Sequence, residues 1–222
     1  MCNRYVSPDQ AAIERYWQIG QSSPWEGQQE VFPRSLGPFV RAERGASESG
    51  LTLVVGRWGL IPWFAKNAKL TYSTNNARFE GIASKASFKQ SWLRGQRCII
   101  PAWSFDEPCW ETGRNVWWRF RRADGAPWGL AGLWSEWNDP ETGEILASYT
   151  MLTINADSHA LMSRMHKPDP ALPSDEQDKR SVVAIELANV DRWLTGSVDG
   201  AADLVRPPAV ELIDTGPVIA SR

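Results

Sequence analysis

The stretch VWWRFRRADGAPWGLAGLWSEW, residues 116–137, decides the fold class. Residues 116–122 and 129–137 are apolar and aromatic segments separated by an Asp-Gly turn, which predicts two strands. The same features predict further strands at LTLVVGRW (51–58), RCIIPA (97–102), SYTMLTINA (148–156) and SVVAIEL (181–187). Strands therefore dominate and do not alternate regularly with helices. We predict an α+β fold with a largely antiparallel, barrel-like β core and flanking short helices, not a doubly wound sheet.

Short helices are predicted around this core. The segment 9–20 is expected to be helical, with Ser7 as its cap, Pro8 in the first turn and Gly20 at its end. Further helices are expected within residues 79–93, near residues 189–194, and from Ser174, where Gln177 completes a pattern resembling a capping box. The segment 21–50, rich in Ser, Gly, Pro and Glu, is expected to be loop.

The composition excludes several classes of protein. With 42% hydrophobic and 23% charged residues over 222 positions, the chain can bury a core and is not a disordered polypeptide. No internal repeat or linker interrupts it, so we predict a single domain over residues 1–222. No apolar run is long enough to span a membrane, and the polar N-terminus does not resemble a signal peptide. The three cysteines lack paired spacing, which argues against disulfides and a structural zinc site. We expect a cytoplasmic protein without a cofactor.

A basic, aromatic segment lies between residues 57 and 97. It holds eight basic residues and one acidic residue, a net charge of +7, although the whole chain carries −2. Seven aromatic residues are interleaved with the cations: Trp58, Trp63, Phe64, Tyr72, Phe79, Phe88 and Trp92. Cations that contact phosphates and rings that stack on bases are typical of single-stranded nucleic acid binding. A solvated basic face over core aromatic residues is the alternative.

The second residue, Cys2, offers unusual chemistry. Removal of Met1 would leave an α-amine with a reference pKa of about 8 beside a thiol of about 8.5. An aldehyde can form a Schiff base with the amine, after which the thiol closes a five-membered thiazolidine. Such a residue can also attack an acyl group, with its own amine as base. Alternatively, position 2 is occupied by Cys2 merely because that residue is small.

Three further segments carry groups suited to a site. Asn76 in NNARFE has an amide that can orient an amine or a sugar oxygen. Asp106 and Glu107 follow an apolar strand and lie among aromatic residues, which suits a general acid or base. His166 stands between Met165 and a Pro-rich run, and histidine suits proton transfer near pH 7. The other histidine, His159, is expected to be structural.

Taken in order, these segments resemble the SOS response-associated peptidase (SRAP) family. The matching motifs are MCNRY (1–5), WGLIPWF (58–64), NARFE (76–80), RCIIPA (97–102), GLAGLW (129–134) and TMLTINA (150–156), followed by a histidine before a proline-rich run. The resemblance implies a barrel-like β core with a positively charged cleft. It also implies recognition of abasic sites in single-stranded DNA, with a thiazolidine crosslink through the mature N-terminal cysteine during the DNA damage response.

The resemblance also implies roles for particular residues. Cys2 would be the crosslinking nucleophile, Asn76 would position its amine or the sugar, and Glu107 would act as acid and base in opening the sugar. His166 would assist proton transfer. The DNA-binding residues would be two cations that hold phosphates and two aromatic residues that stack on bases or block a complementary strand: Arg4, Arg78, Trp63 and Phe64.

Departures from the family pattern indicate a divergent member. Two extra residues separate Glu107 from Trp110, so either Asp106 or Glu107 could hold the acid/base position; spacing from the preceding strand favours Glu107. The Arg-Met-Pro run after the histidine is replaced by Pro168-Asp169-Pro170. We expect a nucleoid-associated monomer whose partner is abasic single-stranded DNA. A lyase activity that cleaves the strand through a persistent Schiff base is a variant of this main function. The alternatives are a self-processing cysteine hydrolase that acts on peptide or amide bonds and a non-covalent single-strand-binding module.

Overall fold

The computed structural model describes residues 2–26, 30–43 and 50–218. These residues form thirteen strands: β1 Tyr5–Val6, β2 Gln21–Ser22, β3 Glu30–Val31, β4 Leu36–Ala42, β5 Leu51–Trp58, β6 Asn76–Arg78, β7 Arg97–Ala102, β8 Ser104–Cys109, β9 Val116–Arg122, β10 Trp128–Asn138, β11 Ile145–Asn155, β12 Arg180–Val182 and β13 Ile213–Pro217. The α-helices in the same ranges are α1 Gln10–Trp17, α2 Ala86–Leu93, α3 Val190–Thr195 and α4 Val198–Ala202. Short 3-10 helices occupy Phe79–Gly81, Met162–Arg164, Leu187–Asn189 and Val210–Leu212.

Five strands close into a barrel. The order β11-β10-β7-β4-β5 is antiparallel throughout, and a parallel contact between β5 and β11 joins its two ends. The closing pairs are Arg57 with Ser148 and Trp58 with Tyr149. The predicted α+β fold with a mainly antiparallel, barrel-like core is therefore confirmed.

A second, antiparallel sheet has the order β13-β9-β8-β1-β3. Its strand β1 lies between β3 and β8, with Tyr5 opposite both Val31 and Phe105. Phe105 stacks on Phe120 with 5.1 Å between ring centroids, and Tyr5 packs edge-on against Trp58 of the barrel at 5.1 Å. The second sheet thus shares a hydrophobic cluster with the barrel strands.

The helices cover a different hydrophobic cluster. Alternate residues of the barrel strands, such as Ile99 next to Cys98, enter this cluster, because successive side chains of a strand point to opposite faces. Helix α1 contributes Ile13 and Trp17, which are four residues apart and so share a face, and α3 contributes the fully buried Trp193.

Most predicted strands are confirmed. Residues 51–58, 97–102 and 116–122 coincide with β5, β7 and β9. Strand β11 begins three residues before the predicted 148–156, and only Arg180–Val182 is strand at the predicted 181–187. No helix within the described ranges is long and apolar enough to cross a membrane. The single-domain organisation of residues 1–222 stays a prediction.

Three local predictions are wrong. The cap of α1 is Asp9, whose carboxylate accepts the Ala12 N–H at 2.8 Å, while Ser7 donates to Pro8. The segment 21–50 is not all loop, because β4 pairs along its whole length with β5; residues 27–29 and 44–49 of it lie outside the described residues. No helix starts at Ser174, since the side chain of Gln177 binds the carbonyl oxygens of the preceding turn instead.

Candidate functional site

The site is built around Cys2, which lies between the two sheets immediately before β1. Its side chain is fully buried. Asn76 Nδ2 donates a hydrogen bond to the Cys2 carbonyl oxygen at 2.7 Å, and the Cys2 thiol donates to the Arg4 carbonyl at 3.3 Å. The next residue, Asn3, accepts a hydrogen bond from Asn75 at 3.1 Å. Residues 2 and 3 are therefore held by consecutive asparagines; the predicted loss of Met1 falls outside the described residues.

The position of Asn76 follows from the barrel. Strand β6 runs parallel to β11, with Asn76 opposite Met151 and the buried Ala77 opposite Leu152. Asn76 Oδ1 is buried and has no hydrogen-bond partner among the described residues. Because a buried amide oxygen without a donor is costly, this atom is a ready acceptor beside Cys2.

Glu107 and His166 form a direct pair. Glu107 lies within β8, not beyond a strand end as predicted, and strand alternation puts it on the same face as Phe105 and Cys109, which belong to the hydrophobic cluster that includes Cys2. His166 Nε2 is 2.8 Å from Glu107 Oε2. Glu107 is 1% exposed, so the pair is a polar group inside a largely apolar environment.

Electrostatics set the protonation of the site. Burial raises the pKa of Glu107. The positive charge of the amino group that begins the chain and the His166 hydrogen bond outweigh burial, so the pKa of Glu107 is lowered overall. Burial, and secondarily the charge of Glu107, raise the pKa of the Cys2 thiol. At neutral pH the site therefore combines an ionised carboxylate with a neutral thiol.

Asp106, the alternative acid/base residue, has a different environment. It is 1% exposed and accepts two hydrogen bonds from Arg119, at 2.8 and 3.0 Å. Arg4 Nε lies 3.4 Å from the same carboxylate. Because neighbouring residues of a strand point to opposite faces, Asp106 faces these guanidinium groups while Glu107 faces His166. This arrangement favours Glu107 as the group near Cys2.

The two predicted phosphate ligands lie apart. Arg78 is 54% exposed at its side chain and pairs with Asp178 at 2.6 Å beside a cavity of about 600 Å³ that also contacts Asn76. Arg4 directly precedes β1 of the second sheet, where it pairs with Glu30 and Asp106 and lies over the Phe32 ring. Its charge is thus balanced by two carboxylates, a relationship that the sequence did not predict.

Trp63 and Phe64 stand on an exposed turn. Their side chains are 65% and 42% exposed, and their rings meet edge-on at 5.8 Å. Trp137 Nε1 donates to the Ala65 carbonyl at 3.0 Å and so holds the turn against the barrel. The two rings and helix α2, with its cation Lys89, line a shallow cavity of about 400 Å³.

The basic segment is only partly a surface. Arg97 is buried, with its guanidinium bound to the carbonyls of Trp193 and Gly196, and Arg57 bonds to Ala68. The remaining cations of the segment are exposed: Lys66, Lys69, Arg78, Lys85, Lys89 and Arg94.

Sequence reasoning missed residues that support the site. Arg119 binds Asp106, and Lys179 donates to the backbone of the His166 loop. Arg180 binds Glu80 and the carbonyl of Thr153, and it lines the cavity beside Asn76. Lys179 and Arg180 do have one signal in the sequence: they are two consecutive cations directly before the predicted strand that begins at residue 181.

His159 serves the local backbone. Its Nδ1 accepts hydrogen bonds from the N–H groups of Leu161 and Met162, and its Nε2 contacts the Pro208 carbonyl at 2.9 Å. It lies in the turn region that follows β11. Within the described ranges, no group of three or more His, Cys, Asp or Glu side chains could hold a metal ion.

Fold and site together define a class of α+β barrel protein that holds a buried cysteine at position 2 beside an asparagine and a glutamate–histidine pair. Residues 1–220 match the family described as SOS response associated peptidase (SRAP). The chain belongs to this family, and the resemblance drawn from its motifs is confirmed.

Similar proteins are found among curated sequences and solved structures. The chain is 30% identical over 190 residues to the abasic site processing protein HMCES of Xenopus tropicalis, covering 74% of this chain and 56% of that protein. It is 36% identical over 126 residues to the abasic site processing protein YoqW of Bacillus subtilis, covering 55% and 54%. It thus spans about half the length of these relatives. A crystal structure of a Bordetella bronchiseptica protein matches with a TM-score of 0.85 and 34% identity, covering 98% of this chain and all of that one.

A more distant structure shares the fold. A protein from Bacteroides thetaiotaomicron matches with a TM-score of 0.76 at 20% identity, covering 99% of this chain and 93% of that one.

Proposed function

We propose that this protein captures abasic sites in single-stranded DNA as a covalent adduct on Cys2, after removal of Met1. The observation that carries the proposal is the 2.7 Å hydrogen bond from Asn76 to the Cys2 carbonyl. It fixes the backbone of a residue whose amine and thiol stand on adjacent carbons. Two of the relatives, HMCES and YoqW, are named abasic site processing proteins, which supports the same substrate here.

The first chemical step opens the sugar of the abasic site. The Glu107 carboxylate takes the proton of the C1′ hydroxyl, the bond between C1′ and the ring oxygen breaks, and a proton passes from His166 to that oxygen. An aldehyde results at C1′. The hydrogen bond from His166 lowers the pKa of Glu107 and so favours the basic form that this step needs, and the 2.8 Å contact lets the pair exchange a proton.

The second step joins protein and DNA. The Cys2 amine attacks C1′, and loss of one water gives an imine. The Cys2 sulfur then adds to C1′ while the thiol proton moves to nitrogen, which closes a thiazolidine. One C–N bond and one C–S bond form, and no oxidant is needed. Because burial raises the pKa of the thiol, the sulfur stays protonated until ring closure, and the amine acts first.

Exposed groups around the site supply the DNA contacts in this proposal. Arg78 and Lys85 line the cavity that reaches Asn76 and would contact phosphates there. Trp63 and Phe64 project into solvent on a turn held by the barrel, where their rings could stack on bases. An intact nucleotide offers no aldehyde, so the chemistry itself would select the lesion.

The test is the intact mass of the protein after incubation with an abasic oligonucleotide. We expect a species equal to the chain without Met1 plus the DNA minus one water. Cys2→Ala should not form it. Cys2→Ser keeps the amine, so borohydride should trap an imine although no stable adduct forms. Cys98→Ala, which alters a buried barrel thiol, is the matched control and should react normally. A stable adduct on Cys2→Ala would refute the proposal.

Two other outcomes would identify the rival functions. A non-covalent binding module would bind intact and abasic strands equally, with strong salt dependence and no mass change. A cysteine hydrolase would turn over peptide or amide bonds and leave DNA unmodified, although burial of the Cys2 thiol disfavours the thiolate that such attack requires. Strand cleavage in place of a stable adduct would indicate that the imine persists and permits β-elimination.

A further inference from the structure

The loop that carries His166 has an unusual backbone. His166 has a φ angle of +63°, in the left-handed region that residues other than glycine rarely adopt. Its N–H donates to the Pro108 carbonyl at 2.6 Å, directly after Glu107 in β8. One side of the loop is therefore bonded to the strand that carries its partner.

A buried lysine binds the other side of this loop. Lys179 Nζ donates to the carbonyl oxygens of Met165 at 2.8 Å and His166 at 2.7 Å. Lys179 is only 7% exposed. The backbone N–H of Lys179 donates to the Asp157 carboxylate at 2.8 Å. The same carboxylate accepts a hydrogen bond from Asn155 at the end of β11. The lysine thus connects the His166 loop to the barrel.

We infer that Lys179 is a positioning residue, which holds the backbone of His166 so that its ring meets Glu107. The reaction that this serves is the proposed function, so the inference rests on it. Lys179 touches neither Glu107 nor Cys2 in any described contact, and its two carbonyl acceptors belong to the histidine and the residue before it. Without the ammonium these carbonyls would be left without this donor, and the left-handed turn would lose its support.

The chain offers a matched control for this idea. Lys167 follows His166 directly but is exposed, with its ammonium 5.5 Å from the Trp110 ring centroid. Lys179→Met removes the buried donor at nearly constant volume, whereas Lys167→Met removes an equal charge from the same loop. Lys179→Arg keeps both charge and donors.

The first readout does not depend on DNA. The sequence has two histidines, so the ring C–H resonances of His166 can be followed by NMR with His159 as an internal reference. We expect Lys179→Met to shift the His166 resonance toward its value in an unfolded peptide, while His159 stays unchanged. Lys167→Met and Lys179→Arg should leave both resonances near their wild-type positions. An unchanged His166 resonance in folded Lys179→Met would overturn the inference, even if the wild-type protein formed no adduct.

The second readout is the rate of adduct formation. We expect Lys179→Met to lower the rate at saturating abasic DNA roughly 10- to 100-fold, because misplacement of a reacting group by about 1 Å has effects of that size. The DNA concentration for half-saturation should not change. Lys179→Arg should restore most of the rate, and Lys167→Met should keep it. An equal loss in Lys167→Met and Lys179→Met would mean that charge alone matters, which would overturn the inference.

Discussion

His166 Nε2 lies 2.8 Å from Glu107 Oε2, which joins a left-handed loop to a buried strand residue 59 positions earlier. This pair and the hydrogen bond from Asn76 to Cys2 are the two polar contacts on which the proposed chemistry depends.

Glu107 should contribute an acid-sensitive part of the stability. Its folded-state pKa is below an unfolded value of about 4.3, so its contribution is complete above that pH and is lost as pH falls through the folded pKa. We expect the free energy of unfolding of Glu107→Gln to be roughly 1–3 kcal/mol lower than that of wild type at pH 7. On acidification this variant should lose less of its free energy of unfolding than wild type does. Urea unfolding at pH 7 and at about pH 3, below the unfolded-state pKa, measures both; the exposed Glu141→Gln is the control. Equal acid losses in wild type and Glu107→Gln would contradict this view.

Asn76→Ala should slow capture more than it weakens DNA binding. The substitution removes the donor to the Cys2 carbonyl and the buried acceptor beside it. Loss of such a bond corresponds to roughly 1–2 kcal/mol, or about a tenfold slower adduct formation. Gel analysis of the adduct over time measures the rate. Asn75→Ala, which loses the contact to Asn3 instead, should be affected less; a larger effect there would count against the role of Asn76.

Asp106→Asn should lower the free energy of unfolding. The carboxylate is buried and binds Arg119 through two hydrogen bonds. Breaking a buried pair leaves an uncompensated charge, and we expect a loss of roughly 2–4 kcal/mol, reduced because the Arg119 side chain is 20% exposed. Urea unfolding measures this loss. Normal stability together with abolished adduct formation would make Asp106, not Glu107, the acid/base residue.

Trp63→Ala should weaken binding to single-stranded DNA with little effect on folding. The side chain is 65% exposed, so the change in stability should stay within about 0.5 kcal/mol. A lost stacking contact is worth roughly 1–3 kcal/mol, which raises Kd at least fivefold. Fluorescence anisotropy with a labelled oligonucleotide measures Kd. Trp117→Ala, at an exposed site on the second sheet, is the control; equal effects at both positions would argue against specific stacking.

The double substitution Lys89→Gln with Arg94→Gln should reduce the salt dependence of binding. Both cations are exposed on or next to α2, near the turn that carries Trp63. If each contacts a phosphate, the slope of log K against log salt should fall by about 1.4 in magnitude. Titrations at several salt concentrations measure the slope. An unchanged slope would show that DNA follows another face.

The fold was predictable from the sequence where strands combine apolar side chains with turn residues, as in β5, β7 and β9. Strand β4 was missed because Gly37 and Pro38 indicate a turn. In the structure Gly37 lies within the strand, because a Cβ at this position would come within 2.6 Å of the hydroxyl groups of Tyr5 and Tyr149. A close approach between distant segments leaves no local pattern. The α1 cap was missed by two residues, since Ser7 and Asp9 are both good caps and only the tertiary structure selects one.

The candidate site was predictable in its residue types and less so in its partners. Motifs indicated Cys2 and Asn76, and the structure brings them into contact. The choice between Asp106 and Glu107 depends on which face of β8 each occupies, and the sequence did not identify that segment as a strand. Lys179 was missed because the two cations before residues 181–185 mark their own positions but not their partners, and the backbone carbonyls that Lys179 binds have no signature in sequence.

The hydrogen bond between Cys2 and Asn76 spans 74 residues, and His166 belongs to a still later part of the chain. While a ribosome is still making the protein, the second residue therefore has none of its later neighbours. Folding encloses Cys2 only when the segments that carry Asn76 and the later strands have emerged. Order of synthesis thus separates the time at which Cys2 is synthesised from its enclosure between the two sheets.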